Sequence, residues 1–368
     1  MSLDAFPTEI VQDIFQSACL DDGRTARALC LVSRRYNDLA KPLLFRSIAV
    51  CGIAQMEVFA GLLQQNPDVA RSVRYLFLSE NENDRAPREE GDGASAGVIP
   101  PTIEEANAFQ WLSVVIFRSL TPTLEVLSYV TLPHSQGRVR VRCLFTEPWQ
   151  RLRELMVHEG RLDLSFHWLP SLTHLHIHTN FLMYDGLPRM FGFACPQLTH
   201  LKISGLYIHG RELADNIEEA WATDPPEGEP DREVPSPVSG KLARLPRWLP
   251  LPLRHIILQP VTLIQSRTAS WPPLNRVMRA RLNAFAEAGR ARGVVVQGME
   301  AESMDKDVQE ICAQAKREWL ERLDGGAGCW MVEGGDATEV GAEVTTAVEQ
   351  LDLSPGVAAV GHQEDSGI

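Results

Sequence analysis

Three histidines at alternating positions, His174, His176 and His178, have the spacing that most directly allows chemistry. Alternate residues of an extended strand point to the same side, so the three imidazoles would share one face, opposite to Leu175 and Ile177. Neutral imidazole binds zinc, and it gains a proton near pH 6.5. The three histidines therefore indicate a metal site, a polar recognition surface or side chains that simply face solvent.

The face that carries these histidines should continue across neighbouring strands if the strands stack in register about 4.8 Å apart. An open, solvated strand face offers zinc few tetrahedral ligands and little support around them, so we predict no cofactor and no metal. Recognition and plain solvent exposure both remain open. The preceding strand would add Glu154, Met156 and His158, and the last would add His255, Ile257 and Gln259. The candidate recognition face comprises His174, His176, His178, His200 and Lys202.

Motifs that could support catalysis lack the required surroundings. Residues 93–97 match G-x-S-x-G around Ser95, but they lie in an acidic loop before two prolines, where a nucleophile elbow needs a strand and a helix. Residues 325–328 are glycine-rich but follow a predicted helix and not a strand. His158 and Glu159 are not followed by the second histidine of a zinc protease. We therefore predict no catalytic residue and a chain that is not an enzyme.

An apolar pattern, L-x-x-L-x-L, recurs along the chain and predicts the strands that position the histidines. The last two apolar residues of each copy are two apart, so a strand would point both to one face. Parallel stacking of such strands is typical of a leucine-rich-repeat solenoid. The intervals are irregular and the usual asparagine ladder is missing, which indicates degenerate repeats. An α/β sandwich without repeat symmetry is the alternative. The copies are Val73-Leu76-Leu78, Leu152-Leu155-Val157, Leu172-Leu175-Ile177, Leu198-Leu201-Ile203 and Leu253-Ile256-Leu258.

Segments between and after these strands show helical spacing of apolar residues. This spacing predicts helices over residues 103–120, 274–291 and 307–323, the last stopped by Gly325. Residues 80–101 and the proline-rich 223–252 are predicted to be disordered insertions. Residues 324–368 contain nine acidic side chains and no Lys or Arg, and they predict a disordered acidic tail.

The first 45 residues predict three short helices. Pro7 and Glu9 suit a first helical turn, Thr25 is a candidate cap for the second helix, and Ser33 is a candidate cap for a third that ends at Pro42. Helices this short bury too little surface to be stable alone, so they should lean on the next domain or on a partner. The apolar stripe of the first helix comprises Ile10, Val11, Ile14, Phe15 and Ala18.

Three segments of this region resemble the F-box family. Residues 6–10 (FPTEI) resemble the L-P-x-E-I/L opening of F-box domains, and residues 29–36 (LCLVSRRY) resemble their L-x-L-V-S-R-x-W/F stretch. Residues 41–46 (KPLLFR) are similar to the exit segment of fungal-type F-box proteins. Phe6 stands where Leu is usual, and Tyr36 stands where Trp or Phe is usual. The resemblance covers about 45 of the 368 residues.

The resemblance implies docking onto the Skp-type adaptor of a cullin–RING ubiquitin ligase. Each residue on the docking face could instead belong to the core of the three helices. A DNA-binding helix-turn-helix is disfavoured, because residues 1–50 hold six acidic and six basic side chains. The implied adaptor-binding residues are Phe6, Pro7, Ile10, Ile14, Leu31, Val32 and Tyr36.

Composition narrows the partners and the compartment. The net charge is −13, with no domain-wide basic field, which argues against nucleic-acid binding. Seven scattered cysteines, none in a C-x-x-C pair, favour a reducing compartment. No secretory signal and no apolar run of about 20 residues is visible, so we expect no membrane association. The predicted location is the cytoplasm, the nucleus or both.

These observations predict an α/β chain of three parts. Residues 1–48 form an F-box-like docking module, residues 49–323 form a degenerate leucine-rich-repeat-like domain, and residues 324–368 form the tail. The implied function is substrate recognition for an SCF-type ubiquitin ligase, with a protein substrate that the sequence does not name. The alternative is a non-catalytic interaction scaffold without ligase association.

Overall fold

A computed structural model describes most of the chain between residues 6 and 330. The described residues are 6–81, 102–131, 145, 147–158, 168–178, 187–206, 210–222, 233–235, 242–244, 252–262, 272–299, 302–303 and 308–330. Within them, strands alternate with helices, which confirms the α/β class.

One parallel sheet organises the described chain. Its strands lie in the order β1-β2-β3-β4-β5-β6-β9-β10, with β11 also paired to β9, and every pairing is parallel. Each strand therefore neighbours the next long strand along the chain. The strands are β1 (Ser47–Cys51), β2 (Tyr75–Ser79), β3 (Val126–Val130), β4 (Glu154–His158), β5 (His174–His178), β6 (His200–Leu206), β7 (Glu233–Pro235), β8 (Leu242–Arg244), β9 (His255–Thr262), β10 (Val295–Gly298) and β11 (Glu302–Ser303).

Ten α-helices accompany the sheet among the described residues. The predicted helix over residues 103–120 is confirmed, and it begins with a capping box in which Thr102 and Glu105 exchange hydrogen bonds. The predictions near 274–291 and 307–323 are confirmed within two residues. The helices are α1 (Thr8–Ala18), α2 (Arg24–Cys30), α3 (Arg34–Ala40), α4 (Ile53–Gln65), α5 (Pro67–Ser72), α6 (Ile103–Leu120), α7 (Leu187–Ala194), α8 (Gly210–Ala222), α9 (Pro272–Arg290) and α10 (Val308–Leu323).

The repeated apolar pattern sets the register of the sheet. Leu155 of β4 pairs with Leu175 of β5, which pairs with Leu201 of β6, and Ile256 of β9 follows in the same row. This row is completely buried in the larger hydrophobic core, against helices α4, α6, α7, α8 and α9. The predicted in-register stacking of the strands is therefore confirmed.

The opposite face of the sheet is also covered, by helix α10 and the 3-10 turn Gly328–Trp330. Buried α10 residues Ala315 and Trp319 pack in a second core with Phe77 of β2 and Met156 of β4. The ring centroids of Trp319 and Phe77 lie 5.8 Å apart. Parallel sheets are normally covered on both faces, and this one follows that rule.

The predicted start of the disordered tail at residue 324 is wrong. Cys329 and Trp330 are buried in the second core, and Gly328 adopts φ 53° where a Cβ would lie 2.7 Å from the carbonyl oxygen of Glu318. Glycine is therefore required where the chain turns back onto α10. Residues 331–368 lie outside the described residues.

The predicted insertions lie mostly outside the described residues. Of residues 80–101, Glu80 and Asn81 directly follow strand β2, and Glu80 is buried. Within 223–252, the short strands β7 and β8 pair antiparallel, so that segment is not wholly irregular.

The first three helices form their own small core beside the sheet. Val11, Phe15, Ala26 and Tyr36 belong to this core. Ser33 caps α3 as predicted, by accepting a hydrogen bond from the Tyr36 N–H, but Thr25 does not cap α2. The Asp21 carboxylate accepts from the Thr25 N–H and hydroxyl in that role. The three-helix module contacts the sheet: Ser47 Oγ of β1 donates a hydrogen bond to the Leu20 carbonyl oxygen over 3.0 Å.

Candidate functional site

Helix α1 divides its apolar residues between an inner and an outer side. Val11 and Phe15 are buried, whereas Ile10 and Ile14 are 45% and 41% exposed. Ile10 and Ile14 are one turn apart, so they form a continuous ridge on the surface of the helix. The predicted stripe therefore supplies both a core side and an exposed side.

Leu31 and Val32 extend this exposed apolar surface from the turn between α2 and α3. Leu31 is 87% exposed and Val32 is 62% exposed. Arg35 Nη2 of α3 donates to the carbonyl oxygen of Phe6 over 3.2 Å, which ties the start of α1 to this turn. We call Phe6, Ile10, Ile14, Leu31 and Val32 the N-terminal apolar patch; each member is exposed.

Tyr36 corrects one prediction about the docking residues. It is buried in the module, with its ring 5.3 Å from that of Phe15 in an edge-to-face contact. Tyr36 therefore stabilises the three helices instead of facing a partner. Pro7 is exposed beside the patch. Six of the seven predicted residues face solvent.

The predicted strip of histidines forms in register across four strands. His174 pairs with His200, which pairs with His255, and His158 pairs with His178. The imidazoles of His174 and His200 stack with ring centroids 4.1 Å apart, and those of His200 and His255 lie 4.5 Å apart. We call His158, His174, His176, His178, His200 and His255 the histidine strip.

The prediction that this face is open to solvent is wrong. His176 is 2% exposed, Lys202 is 4% exposed, and His174, His178 and His200 are partly buried. Helix α10 and the 3-10 turn lie over them. Lys202 Nζ donates to the carbonyl oxygen of Cys329 over 2.6 Å, and the Trp330 ring lies 5.2 Å from that of His174. Recognition by these residues stays a prediction, and it would require α10 to move away.

Burial keeps four imidazoles of the strip neutral, those of His158, His174, His176 and His200. Desolvation, with smaller contributions from neighbouring charges, lowers the pKa of His174 to about 2 and that of His200 to about 4. Desolvation likewise lowers the pKa of His158 and of His176 well below 6.5, with Lys202 adding to both shifts. Neutral imidazole is the form that binds metals.

Glu154 holds α10 and the 3-10 turn against the sheet. It was not among the predicted site residues. Its buried carboxylate accepts from Arg322 Nε of α10 over 2.8 Å and from Trp330 Nε1 over 3.2 Å. The spacing of Cys312, Ala315, Trp319 and Leu323 in α10 indicates a helix with one buried face. That spacing does not say which surface the helix covers.

One group of side chains beneath α10 could hold a metal ion. Ligand atoms of His158, His176 and Glu318 all lie within 4.8 Å of one another. They line a cavity of about 20 Å³, together with His178, Lys202 and Ser204. Among the residues that the structure describes, this is the one group of His, Cys, Asp and Glu side chains so arranged.

No protein-family model, curated protein or solved structure matches this chain. None of the helices in the described ranges is long and apolar enough to cross a membrane. The class that fold and surface define is thus an α/β protein with a parallel sheet in chain order, preceded by a three-helix module that exposes an apolar patch.

Proposed function

We propose that the chain is a substrate-recognition subunit of an SCF-type ubiquitin ligase that docks onto a Skp-type adaptor through the N-terminal apolar patch. One observation carries this proposal. Five of the eight large apolar side chains that are exposed in the described part of the chain belong to the patch. Such concentrations of exposed apolar surface mark protein-binding sites.

The residues of the patch coincide with the F-box-like segments of the sequence. Phe6 and Ile10 belong to the FPTEI opening, and Leu31 and Val32 belong to the LCLVSRRY stretch. The buried Tyr36 and the Ser33 cap give the patch a fixed backbone. This arrangement supports docking of a preformed surface, which avoids the entropy cost of ordering it on binding.

The parallel sheet supports the second half of the proposal. Strands that follow chain order, with one apolar row repeated in each, are consistent with a degenerate leucine-rich-repeat-like domain. Because α10 covers one sheet face, a protein substrate would bind another surface or would bind after α10 is displaced. Ubiquitin transfer would take place elsewhere in the ligase, in the cytoplasm or the nucleus, and this chain would need no catalytic residue.

Binding of the full chain to purified Skp-type adaptor tests the proposal. Ile10→Asp and Leu31→Asp place a carboxylate within the patch, and each should weaken binding about 30-fold or more, because a desolvated charge costs at least ~2 kcal/mol. Val58→Asp is the matched control, since Val58 is exposed on α4 outside the patch. All three sites are exposed, so the fold should be retained. Equal adaptor affinity for the patch variants and the wild type would refute docking.

A scaffold without ligase association is the second candidate function. It uses the same patch for a different partner, and the exposed side chains support it equally. Recovery of cullin together with the chain from cells, lost in Ile10→Asp and kept in Val58→Asp, separates the ligase subunit from the scaffold.

A further inference from the structure

Three side chains from three elements converge on the cavity beneath α10. His158 ends β4, His176 is central in β5, and Glu318 lies in α10. Their ligand atoms lie within 4.8 Å of one another around a cavity of about 20 Å³. A space of that size holds one water-sized body. The cavity can therefore hold a single ion or a single water molecule.

The hydrogen bonds of Ser204 favour one tautomer of His176. Ser204 Oγ donates its one hydrogen to Gln259 Oε1 over 3.0 Å, and it lies 3.0 Å from His176 Nε2. With the Ser204 hydrogen directed to Gln259, the His176 tautomer that satisfies both contacts donates from Nε2 to Ser204 Oγ and leaves a lone pair on Nδ1. Among the described residues, His176 Nδ1 is buried and finds no hydrogen-bond partner. A metal ligand whose other ring nitrogen donates to a protein oxygen has the same arrangement.

His158 is the second histidine with unsatisfied ring nitrogens. Both its Nδ1 and its Nε2 are buried, and neither has a hydrogen-bond partner within the part of the chain that the structure describes. Leaving buried polar atoms without partners costs free energy. Such atoms therefore indicate that a further group binds there. The His158 and His176 rings lie 5.2 Å apart at 73°, which lets a lone pair of each point into one cavity.

We propose that His158, His176 and Glu318 bind one zinc ion. Two imidazoles and one carboxylate form an established zinc ligand set, and zinc is among the divalent ions that imidazole binds most strongly. Zinc bonds of about 2.0–2.1 Å place tetrahedral ligand atoms roughly 3.4 Å apart. The present spacing of up to 4.8 Å therefore closes by about 1.4 Å at most, through side-chain rotation.

The positive charge of Lys202 weakens the binding of a cation at this site. Its buried ammonium donates to the Cys329 carbonyl and lines the same cavity. The Glu318 carboxylate offsets one unit of positive charge, and Gln314 Nε2 donates to its Oε1 over 2.8 Å. Removing the charge at Lys202 should therefore tighten zinc binding. If the cavity holds only water, removing the charge at Lys202 should not change zinc binding.

Zinc at this position would join α10 to the sheet, because Glu318 lies in the helix and both histidines lie in strands. This role does not depend on adaptor docking. The patch and the cavity use separate residues, so a negative result at one leaves the other unaffected.

Zinc titration of the untagged full chain tests the site. The chain is stripped with a chelator, kept reduced with a phosphine and titrated with Zn²⁺ by calorimetry, and bound metal is counted. We expect one zinc per wild-type chain. Glu318→Gln and His176→Asn should each lose that equivalent, Ser204→Ala should weaken affinity about 10–100-fold, and Lys202→Met should increase it. Glu321→Gln, exposed one turn along α10, and His255→Asn, at the far end of the strip, should bind like the wild type.

Cobalt substitution separates this site from the cysteines. Co²⁺ bound by two imidazoles and a carboxylate gives a tetrahedral visible spectrum without a thiolate charge-transfer band. Circular dichroism of each variant checks that the fold is retained. A wild-type chain that binds no zinc would overturn the proposal. So would zinc that persists in folded Glu318→Gln and His176→Asn chains, or a cobalt spectrum with a thiolate band.

Discussion

The N-terminal apolar patch and the histidine strip distribute apolar and ionisable side chains in opposite ways. The patch leaves Ile10, Leu31 and three other apolar residues exposed, whereas the strip buries His176 and Lys202. Covering exposed apolar surface with a partner lowers the free energy. The apolar side chains of the patch are exposed, so this stabilisation is available to a binding partner. The strip already has its cover, because α10 lies over it. The proposed docking would therefore need no rearrangement at the patch, whereas access to the strip requires α10 to leave.

Among these variants, Trp319→Ala should reduce stability the most, because the Trp319 side chain is fully buried between α10 and the sheet. We expect the free energy of unfolding to fall by about 3–5 kcal/mol. Trp111→Ala is the matched control, because Trp111 is 64% exposed on α6, and its effect should stay within about 0.5 kcal/mol. Urea unfolding measures both. Similar losses in the two variants would contradict the placement of α10.

Lowering the pH should destabilise the strip and spare the module. His158 and His176 stay neutral in the folded chain because burial lowers the pKa of each well below 6.5. The unfolded chain takes up protons as the pH falls below 6.5, so stability is lost in that direction. For these two histidines alone in the metal-free chain, we expect about 2–3 kcal/mol less stability at pH 5.5 than at pH 7. The lowered pKa values of His174 and His200 add a loss of the same sign, so the total should be larger.

Urea unfolding in the presence of a chelator, repeated between pH 7 and pH 5.5, measures this loss. Residues 1–50 contain no histidine, so adaptor binding through the patch should change little over the same range. A free energy of unfolding that is independent of pH would show that the histidines are not buried.

Glu154→Gln should weaken the packing of α10 and the 3-10 turn on the sheet, with a smaller loss of stability. The change removes the charge that pairs with Arg322 and weakens the acceptor of Trp330 Nε1. We expect a loss of about 1–3 kcal/mol and faster proteolysis after residue 323. Asp68→Asn, which breaks an exposed pair with Arg71, should cost less than about 1 kcal/mol. Unchanged proteolysis of Glu154→Gln would contradict the anchoring role.

Ser33→Ala should have the smallest effect, confined to the module. It removes the side-chain cap of α3, and a lost cap costs about 1 kcal/mol. Amide hydrogen exchange should rise in α1 to α3 and remain unchanged in α10. Increased exchange in α10 would show that the two regions are coupled.

Much of the sheet could be predicted from the sequence because its signal is local and repeated. Leu155, Leu175 and Leu201 occupy the same place in successive copies of one pattern, so the register follows once the strands are parallel. Helix α6 was equally predictable, because it carries apolar spacing and a Thr102 cap. The row of polar residues opposite these leucines follows from the alternation of side chains along a strand.

The burial of that polar row could not be predicted from local patterns. An amphipathic helix such as α10 must bury one face, but its spacing does not identify the surface that it covers. Trp330 follows a glycine-rich stretch that resembles the start of a tail. Tyr36 illustrates the same limit inside the module: an apolar residue in a docking-like motif can face inward or outward, and only the packing of α1 on α3 decides.

Hydrogen exchange of the full chain, alone and with saturating Skp-type adaptor, is the most direct test of the proposed docking through the N-terminal apolar patch. We expect slower exchange in α1 and in the turn around Leu31 and Val32 when the adaptor is present, with α10 unchanged. Protection that falls on α10 and the strip instead of the patch, or no protection anywhere, would contradict it.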